Sequence, residues 1–377
     1  MKTCIRCGKS LPLTMFEVRS KGKRRATCGP CRELPEEPKP PPTAESVMGE
    51  VRQRRAESDL RARVEVLSHE NDRLNRLIET MRAVRPAEPT VFTALKPEKG
   101  EAVALWDASD WHVEEFVDGH KVQGLNHYDL TEAESRAKKF FQNGLRLTHM
   151  AARESKLKKV LIILGGDFFS NGIHEELLET NQLGPTQAVQ FAHNLITAGI
   201  EHILKESDLQ VEVACVVGNH GRITKKIRFS TAVENNLEYL MYQWTASHFR
   251  GNPRVNFHIC PGTMQFVNLF DDYLIRVVHG YEIKSGGGIG GITIPIRKKL
   301  AGWDEAKQAK LTVIHHFHQM LDGGNFLVNG SLIGYNEYCQ ANGFSPEHPQ
   351  QTFALIHSRN GGEKTLVAPI WVTDAKK

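Results

Sequence analysis

Val160-Leu-Ile-Ile-Leu-Gly-Gly-Asp167 is an apolar run that stops on two glycines and a carboxylate. Short runs of β-branched and aliphatic residues, ended by Gly or a polar residue, read as buried strands. Four more stretches repeat the pattern. Ala102 to Trp106 leads into Ser109-Asp110-Trp111-His112, and Val211 to Val217 leads into Gly218-Asn219-His220. Tyr273 to Val278 leads into His279-Gly280, and Leu311 to Ile314 into His315-His316-Phe317-His318. Every cluster of potential metal ligands therefore falls at the carboxyl end of a strand, where layered α/β proteins build their sites.

The donor set has a chemical logic. Two divalent ions about 3.5–4 Å apart can hold both the attacking oxygen and the phosphoryl group of a phosphoester. Such a pair needs a bridging carboxylate, further oxygen and nitrogen ligands, and open positions for water and substrate. Imidazole suits Mn, Fe, Ni or Zn, whereas carboxylate and amide oxygens suit harder ions. The mixed set points to transition metals, with Mn2+ the first expectation.

The order Asp-x-His, Gly-Asp, Gly-Asn-His, His-Gly and a final His-x-His resembles the calcineurin-like metallophosphoesterase superfamily, over residues 98–377. The resemblance implies an α/β fold, a four-layer αββα sandwich. It implies that Asp110, His112, Asp167 and His318 surround one metal. Asp167 would bridge to a second, completed by Asn219, His279 and His316. His220 would be no ligand but would sit beside the scissile phosphate, stabilising charge or protonating the leaving oxygen. The nucleophile would be a metal-bridging hydroxide.

Two positions depart from the family pattern. His315 stands where Gly is usual, and is expected to crowd or supplement the second metal site. Gly221 stands where an acid is usual, which leaves the orientation of His220 to some other group. His127, His149, His174, His193, His202, His248 and His258 lie outside the pattern and read as ordinary core or surface histidines.

With 377 residues, 24% charged and 40% hydrophobic, the chain has the make-up of a soluble globular protein with room for several domains. No apolar run approaches the ~20 residues of a membrane span. The first residues lack an apolar signal core, so the expectation is a cytoplasmic protein. Four of the 7 Cys form two tight pairs, Cys4-x-x-Cys7 and Cys28-x-x-Cys31. Four thiolates so spaced can close a tetrahedral zinc site, so residues 1–32 are expected to be a zinc ribbon. Lys21, Lys23, Arg24 and Arg25 lie between the knuckles, as cations suited to a phosphate backbone. The segment resembles small zinc ribbons at the front of bacteriophage and mobile-element nucleases, which implies a phage or mobile-element origin and, for a phage protein, the host's cytoplasm.

Residues 33–43 are Pro- and Glu-rich and read as a stiff spacer. A helix is expected over 44–84. Leu60, Val64, Leu67, Asn71, Leu74, Ile78 and Met81 fall on a strict heptad, alternating steps of four and three. Val64 and Ile78 at one seam position, Leu67 and Leu74 at the other, favour a parallel two-stranded coiled coil, with Asn71 fixing register. The expectation is a homodimer through residues 60–81. Residues 85–100, with Pro86, Pro89 and Pro97, read as a linker into a catalytic domain over 101–377.

Helices are expected near 130–153, 186–206 and 232–249. After His220 come Arg222, Lys225, Lys226 and Arg228, cations placed to hold flanking phosphates of a polyanion. The glycine-rich stretch 285–291 reads as a mobile loop near the site. Asn329-Gly330-Ser331 reads as a turn returning the sheet to the core. Together these features describe a dimeric two-metal phosphodiesterase acting on nucleic acid, DNA before RNA, as an exo- or endonuclease. The alternatives are a phosphatase or small-molecule phosphodiesterase with a docking ribbon, and a non-catalytic DNA-binding or assembly protein.

Overall fold

The computed structural model describes residues 1–18, 22–33, 43–83, 100–270, 272–284 and 290–374. Most of the expected spacer 33–43, nearly all of the expected linker 85–100, Lys21 and five residues of the glycine-rich stretch (285–289) lie outside the described residues. The chain divides into two compact units, Met1–Ala94 and Leu95–Lys377.

In the first unit β1 (Lys2–Thr3) pairs antiparallel with β2 (Ser10–Leu11), and α1 (Gly29–Arg32) follows the second Cys pair. Its core consists of Cys4, Phe16, Cys28 and Cys31, with Leu11 against them. So little apolar surface cannot fold a chain by itself, and the four thiols cluster with their sulfurs close enough to share one ion. The cluster fits a zinc ribbon. The backbone N–H groups of Cys28 and Arg6 point at Cys4 Sγ from 3.3 and 3.4 Å, and hold that thiol down to about 6. α2 (Ala44–Ala83) is a single long helix. Leu60, Val64, Leu67, Leu74, Ile78 and Met81 are all exposed along it.

The second unit runs β3 (Glu101–Ala108), α3 (Leu130–Ala151), β4 (Lys156–Leu164), α4 (Glu175–Thr180), α5 (Pro185–Glu206), β5 (Gln210–Cys215), α6 (Leu237–His248), β6 (Val255–Ile259), β7 (Met264–Asn268) and β8 (Leu274–Val278). It continues with α7 (Thr293–Ala306), β9 (Leu311–Ile314), β10 (Leu321–Asp322), β11 (Phe326–Val328), α8 (Glu337–Ala341), β12 (Gln350–His357) and β13 (Glu363–Trp371). One sheet has the order β13-β12-β3-β4-β5-β6 and the other β10-β11-β9-β8-β7. β3 through β6 are parallel, as are β8, β9 and β11, while the outer pairings β12–β13, β7–β8 and β10–β11 are antiparallel.

Side chains alternate along a strand, and the alternation sorts them between cores. Ala102, Ala104 and Trp106 of β3 join Val160 and Ile162 of β4 in a cluster with Phe140 of α3, Ile196 of α5 and Tyr242 of α6. Val103 and Leu105, with Leu161 and Ile163, face the other way and meet Ile275, Val277 and Val313 of the second sheet. Val278, Ile314 and Phe326 cluster with Ile296 and Leu300 of α7. Trp106 is fully buried, and its indole N–H donates to Thr148 Oγ1 at 3.0 Å. A Cβ at Gly144 of α3 would press on that ring from 2.9 Å, so the helix lies close to the sheet.

The helices begin where side chains can cap them. Asp129 accepts from the Glu132 N–H at the start of α3, and Asn236 from the Glu238 N–H at the start of α6. The latter cap explains why α6 starts at Leu237, later than the apolar spacing over 232–249 predicts.

Candidate metal centre

Each predicted block leaves the carboxyl end of its strand: Asp110 after β3, Asp167 after β4, Asn219 after β5, His279 after β8, and His316 and His318 after β9. Parallel neighbours deliver β3, β4 and β5 ends side by side in one sheet, and β8 and β9 ends side by side in the other. The structure brings Asp110, His112 and His318 together, and likewise Asp167, His279 and His316, each trio with its donor atoms within 4.8 Å of one another. A third trio is His112, Asp167 and His220.

Backbone geometry marks the same residues. Among the described residues seven that are not glycine have positive φ, and five of these are Asp110 (54°), His112 (48°), Asp167 (55°), His316 (74°) and His318 (52°). Such conformations cost about 1–3 kcal/mol each and persist where surrounding bonds over-determine them. Those bonds are present: Asp110 N–H donates to Gly166 O at 2.9 Å, and the N–H groups of Trp111 and His112 both donate to Asp167 O. At Gly166 (φ 95°) a Cβ would overlap the backbone of Gly218, so the two loops touch with no side chain between them.

The imidazoles are held with one nitrogen inward. His279 Nδ1 lies 2.7 Å from Gly165 O, and His112 Nδ1 lies 2.7 Å from Ser170 Oγ. Ser170 in turn donates to Glu115 Oε2 at 2.8 Å. These are the outer bonds that fix ring orientation around a metal. What remains is a set of buried atoms without hydrogen-bond partners: Asp110 Oδ1, His112 Nε2 and Asn219 Oδ1. His279 Nε2 lies 2.9 Å from Asp167 Oδ2 and His318 Nε2 lies 3.3 Å from Asp110 Oδ1. Lone pairs left unsatisfied in a buried place are costly, and a cation is what would satisfy them. The residues present fit a metal centre.

The charges agree. Burial pushes His316 down to about 4, aided by His279 nearby, so its ring is neutral and ready to ligate. Burial also holds His112 well below its usual range, with His220 the next cause. Burial pushes His279 downward as well, but the adjoining Asp167 carboxylate outweighs this and raises it to about 10. In the same contact, burial would raise Asp167, yet His279 and His220 hold it well below the carboxylate range.

The two departures resolve in different ways. His315 neither crowds nor supplements the metal trios. It is fully buried with Nε2 2.7 Å from Asp107 Oδ1 and Nδ1 2.8 Å from Val278 O. A Cβ at Gly165 would overlap its ring, so the glycine makes the room. Orientation of His220 comes from Ser170, whose carbonyl oxygen lies 2.9 Å from His220 Nδ1. The space beside Gly221 is filled by Asn236 and Glu238 from the start of α6.

Sequence reasoning missed Glu238. Its carboxylate is buried and accepts from Phe168 N–H at 2.8 Å and Gly218 N–H at 2.6 Å, tying together the loops that carry Asp167 and Asn219. Burial, then the charge of Asp167, raises Glu238 to about 8. It also missed Ser170, Glu115 and Asn171, whose amide donates to Arg222 O at 3.0 Å. Asn329 donates to Ser109 Oγ, which donates to Asp110 Oδ2 at 2.6 Å, so the expected turn also braces Asp110. His174, read as an ordinary surface histidine, brings its ring within 5.9 Å of the His220 ring.

Of the cations singled out, Lys225, Lys226 and Arg228 are exposed in the loop after His220, and Arg222 is half-buried there. In the first unit Arg24 donates to Leu13 O and Phe16 O and Arg25 pairs with Glu17 at 2.7 Å, whereas Lys23 is exposed. No helix among the described residues is long and apolar enough to cross a membrane.

Fold and site together define a mixed α/β protein with a Cys4 cluster and His/Asp groups able to hold metal ions. No protein-family model matches the chain, and no curated protein matches its sequence. Among solved structures it is similar to hypothetical protein PH1004 from Pyrococcus horikoshii OT3, at 12% identity and a TM-score of 0.34, covering 71% of this chain and 88% of that one. It is also similar to the sulfate thiohydrolase SoxB of Thermus thermophilus, at 10% identity and a TM-score of 0.28, covering 74% and 58%. TM-scores this low carry no function across.

Proposed function

We propose that residues 101–377 form a two-metal phosphodiesterase of the αββα sandwich type that acts on nucleic acid, as a DNA nuclease. The observation that carries the reading is the convergence of the expected ligand side chains from five strand ends, with Asp110 Oδ1, His112 Nε2 and Asn219 Oδ1 buried there without partners. The layer order supports the sandwich assignment: helices against the β3 sheet, that sheet against the β8 sheet, and α7 beyond it. The nucleic-acid part is supported by the exposed cations beside His220 and by the zinc ribbon.

Asp110, His112, Asp167 and His318 would hold one ion, and Asp167, Asn219, His279 and His316 the other, with Mn2+ the expected metal. Bound there, the ions would polarise the phosphoryl group and lower the pKa of water. The chain's own residues do the rest. His220 commits Nδ1–H to Ser170 O and has Nε2 left for the substrate; burial lowers this ring, so it would give a proton to the leaving oxygen only after a bound phosphate has favoured the doubly protonated form. Arg222 and Arg228 lie beside Asn219 and would hold phosphates flanking the scissile one.

The test is Mn2+-dependent cleavage of end-labelled single- and double-stranded DNA, with His220→Ala as control. Cleavage that the variant loses supports a nuclease. Hydrolysis of a small aryl phosphodiester with no cleavage of any polymer moves the assignment to a small-molecule phosphodiesterase.

A further inference from the structure

The loop after His220 mixes cations with bare apolar side chains. Ile223, Ile227 and Phe229 are exposed there, interleaved with Arg222, Lys225, Lys226 and Arg228. Scattered exposed apolar residues are normal, but these lie next to a further aromatic ring. Phe229, 67% exposed, stacks with Tyr281 at a centroid distance of 6.2 Å and an interplanar angle of 22°. Tyr281 follows the His279-Gly280 block directly, and its ring lies 6.1 Å from that of His279. Tyr281, Arg222 and Arg228 line one narrow cleft with Gly218 and Asn219. An aromatic plate and two guanidinium groups thus adjoin the residues assigned to the second ion.

The chemistry of the cleft limits what it takes. An aromatic face receives another π face, and guanidinium groups receive phosphate. The Arg228 guanidinium has no hydrogen-bond or ion-pair partner among the described residues, while Arg222 donates from Nη1 to Asn219 O at 2.5 Å and its Nε is buried without a partner. The other polar side chains of the cleft are already engaged. Asn236 donates to Gly218 O and accepts from Glu238 N–H, Asn235 donates to Thr231 O, and Thr224 donates to Lys226 O. Few groups are left to read the edge of a base. A base pair inside a duplex is covered on both faces, so the plate takes an unpaired base in preference to any base within a duplex.

We propose that Phe229 and Tyr281 form a stacking platform for the unpaired base next to the scissile phosphate. The preferred substrate is then single-stranded nucleic acid, taken with little regard for sequence. The proposal rests on the nucleic-acid phosphodiesterase reading above and narrows it.

The test uses full-length Mn2+-loaded protein, single-stranded oligonucleotides of differing sequence, the matching blunt duplex, and bis(p-nitrophenyl) phosphate. Wild type is expected to prefer the single strands. Phe229→Ala or Tyr281→Ala should lower the ratio of kcat/KM on the oligonucleotide to that on the small diester by about 5- to 150-fold, the range of single base stacks. Phe229→Trp should restore it. As a readout apart from turnover, 2-aminopurine beside a phosphorothioate linkage should be quenched by wild type and less so by Phe229→Ala. Equal loss on both substrates, or no loss, while wild type still cleaves oligonucleotides, overturns the platform and leaves the nuclease reading intact. Wild type that hydrolyses the small diester but neither binds nor cleaves any oligonucleotide overturns both.

Discussion

His220 turns its Nδ1 to the carbonyl oxygen of Ser170, 2.9 Å away. A carbonyl only accepts, so Nδ1 carries a proton and Nε2 is the nitrogen left for chemistry. The same ring lies near donors of His112 and Asp167, which would also suit a ligand. The two roles separate experimentally. His220→Ala is expected to lower kcat by about 10²- to 10⁴-fold, the usual worth of general acid catalysis. Metal content measured by mass spectrometry should stay at the wild-type value. A variant that loses an ion along with activity would make His220 a ligand instead.

Metal binding should be linked to proton release, and His279 sets the sign. Without metal, burial lowers this imidazole but the Asp167 carboxylate at 2.9 Å outweighs it, so the ring stays protonated up to about 10. A ligating imidazole must be neutral, so the ion displaces this proton. His316, pushed down to about 4, has none to lose at neutral pH. Affinity should therefore rise with pH above neutrality, as His279, and also His318, which burial lowers but Asp110 raises on balance, give up protons to the ions. The stability sign follows from the same raised value. The proton's contribution to the metal-free fold is fully present below 6.5 and is lost as pH rises through about 10. Calorimetric Mn2+ titration at pH 7, in buffers of different ionisation enthalpy, checks this. Identical heats in every buffer would sink the linkage.

The residues that the structure gathers into the three His/Asp groups were legible in the sequence because each is announced locally, by an apolar run that stops on Gly or on the residue itself. Supporting residues carry no such signal. Glu238 reaches Phe168 and Gly218 from the first turn of α6, and nothing near it in sequence refers to either loop. His315 was misjudged for the same reason. Its place in a run of histidines suggested a metal, whereas its surroundings are set by Asp107 and Gly165, far away in sequence. Periodicity also gave α3 and α5 nearly to the residue, but placed the start of α6 too early because it is blind to the Asn236 cap.

The exposed seam of α2 makes the oligomeric state a prediction. Leu60, Leu67, Leu74 and Met81 share one heptad position, and Val64, Asn71 and Ile78 the other. A long helix with this stripe bare gains stability by pairing it. Full-length protein is expected to sediment as a dimer. Leu67→Asp combined with Leu74→Asp should give a monomer that still turns over a small phosphodiester. A wild-type monomer at micromolar concentration would remove the coiled coil from the assignment.

The Asp107–His315 pair sits fully buried between β3 and β9, 2.7 Å apart. Desolvation is the largest influence on Asp107 and raises its pKa, with His315 opposing. Removing one partner of such a pair strands the other, typically at a cost of 3–5 kcal/mol. His315→Leu alone should therefore lower stability by about that amount, since Asp107 Oδ2 already lacks a hydrogen bond. Replacing both, as Asp107→Leu with His315→Leu, should recover most of the loss, because a buried pair often does no better than apolar residues of similar size. Denaturant unfolding of the metal-free single and double variants decides the point. Recovery in the double variant, with Mn2+ content unchanged, gives the pair a packing role. If the double variant is no better than the single, or loses metal, then the pair fixes how the β3 and β9 ends, on the two facing sheets, bring Asp110 and His316 together.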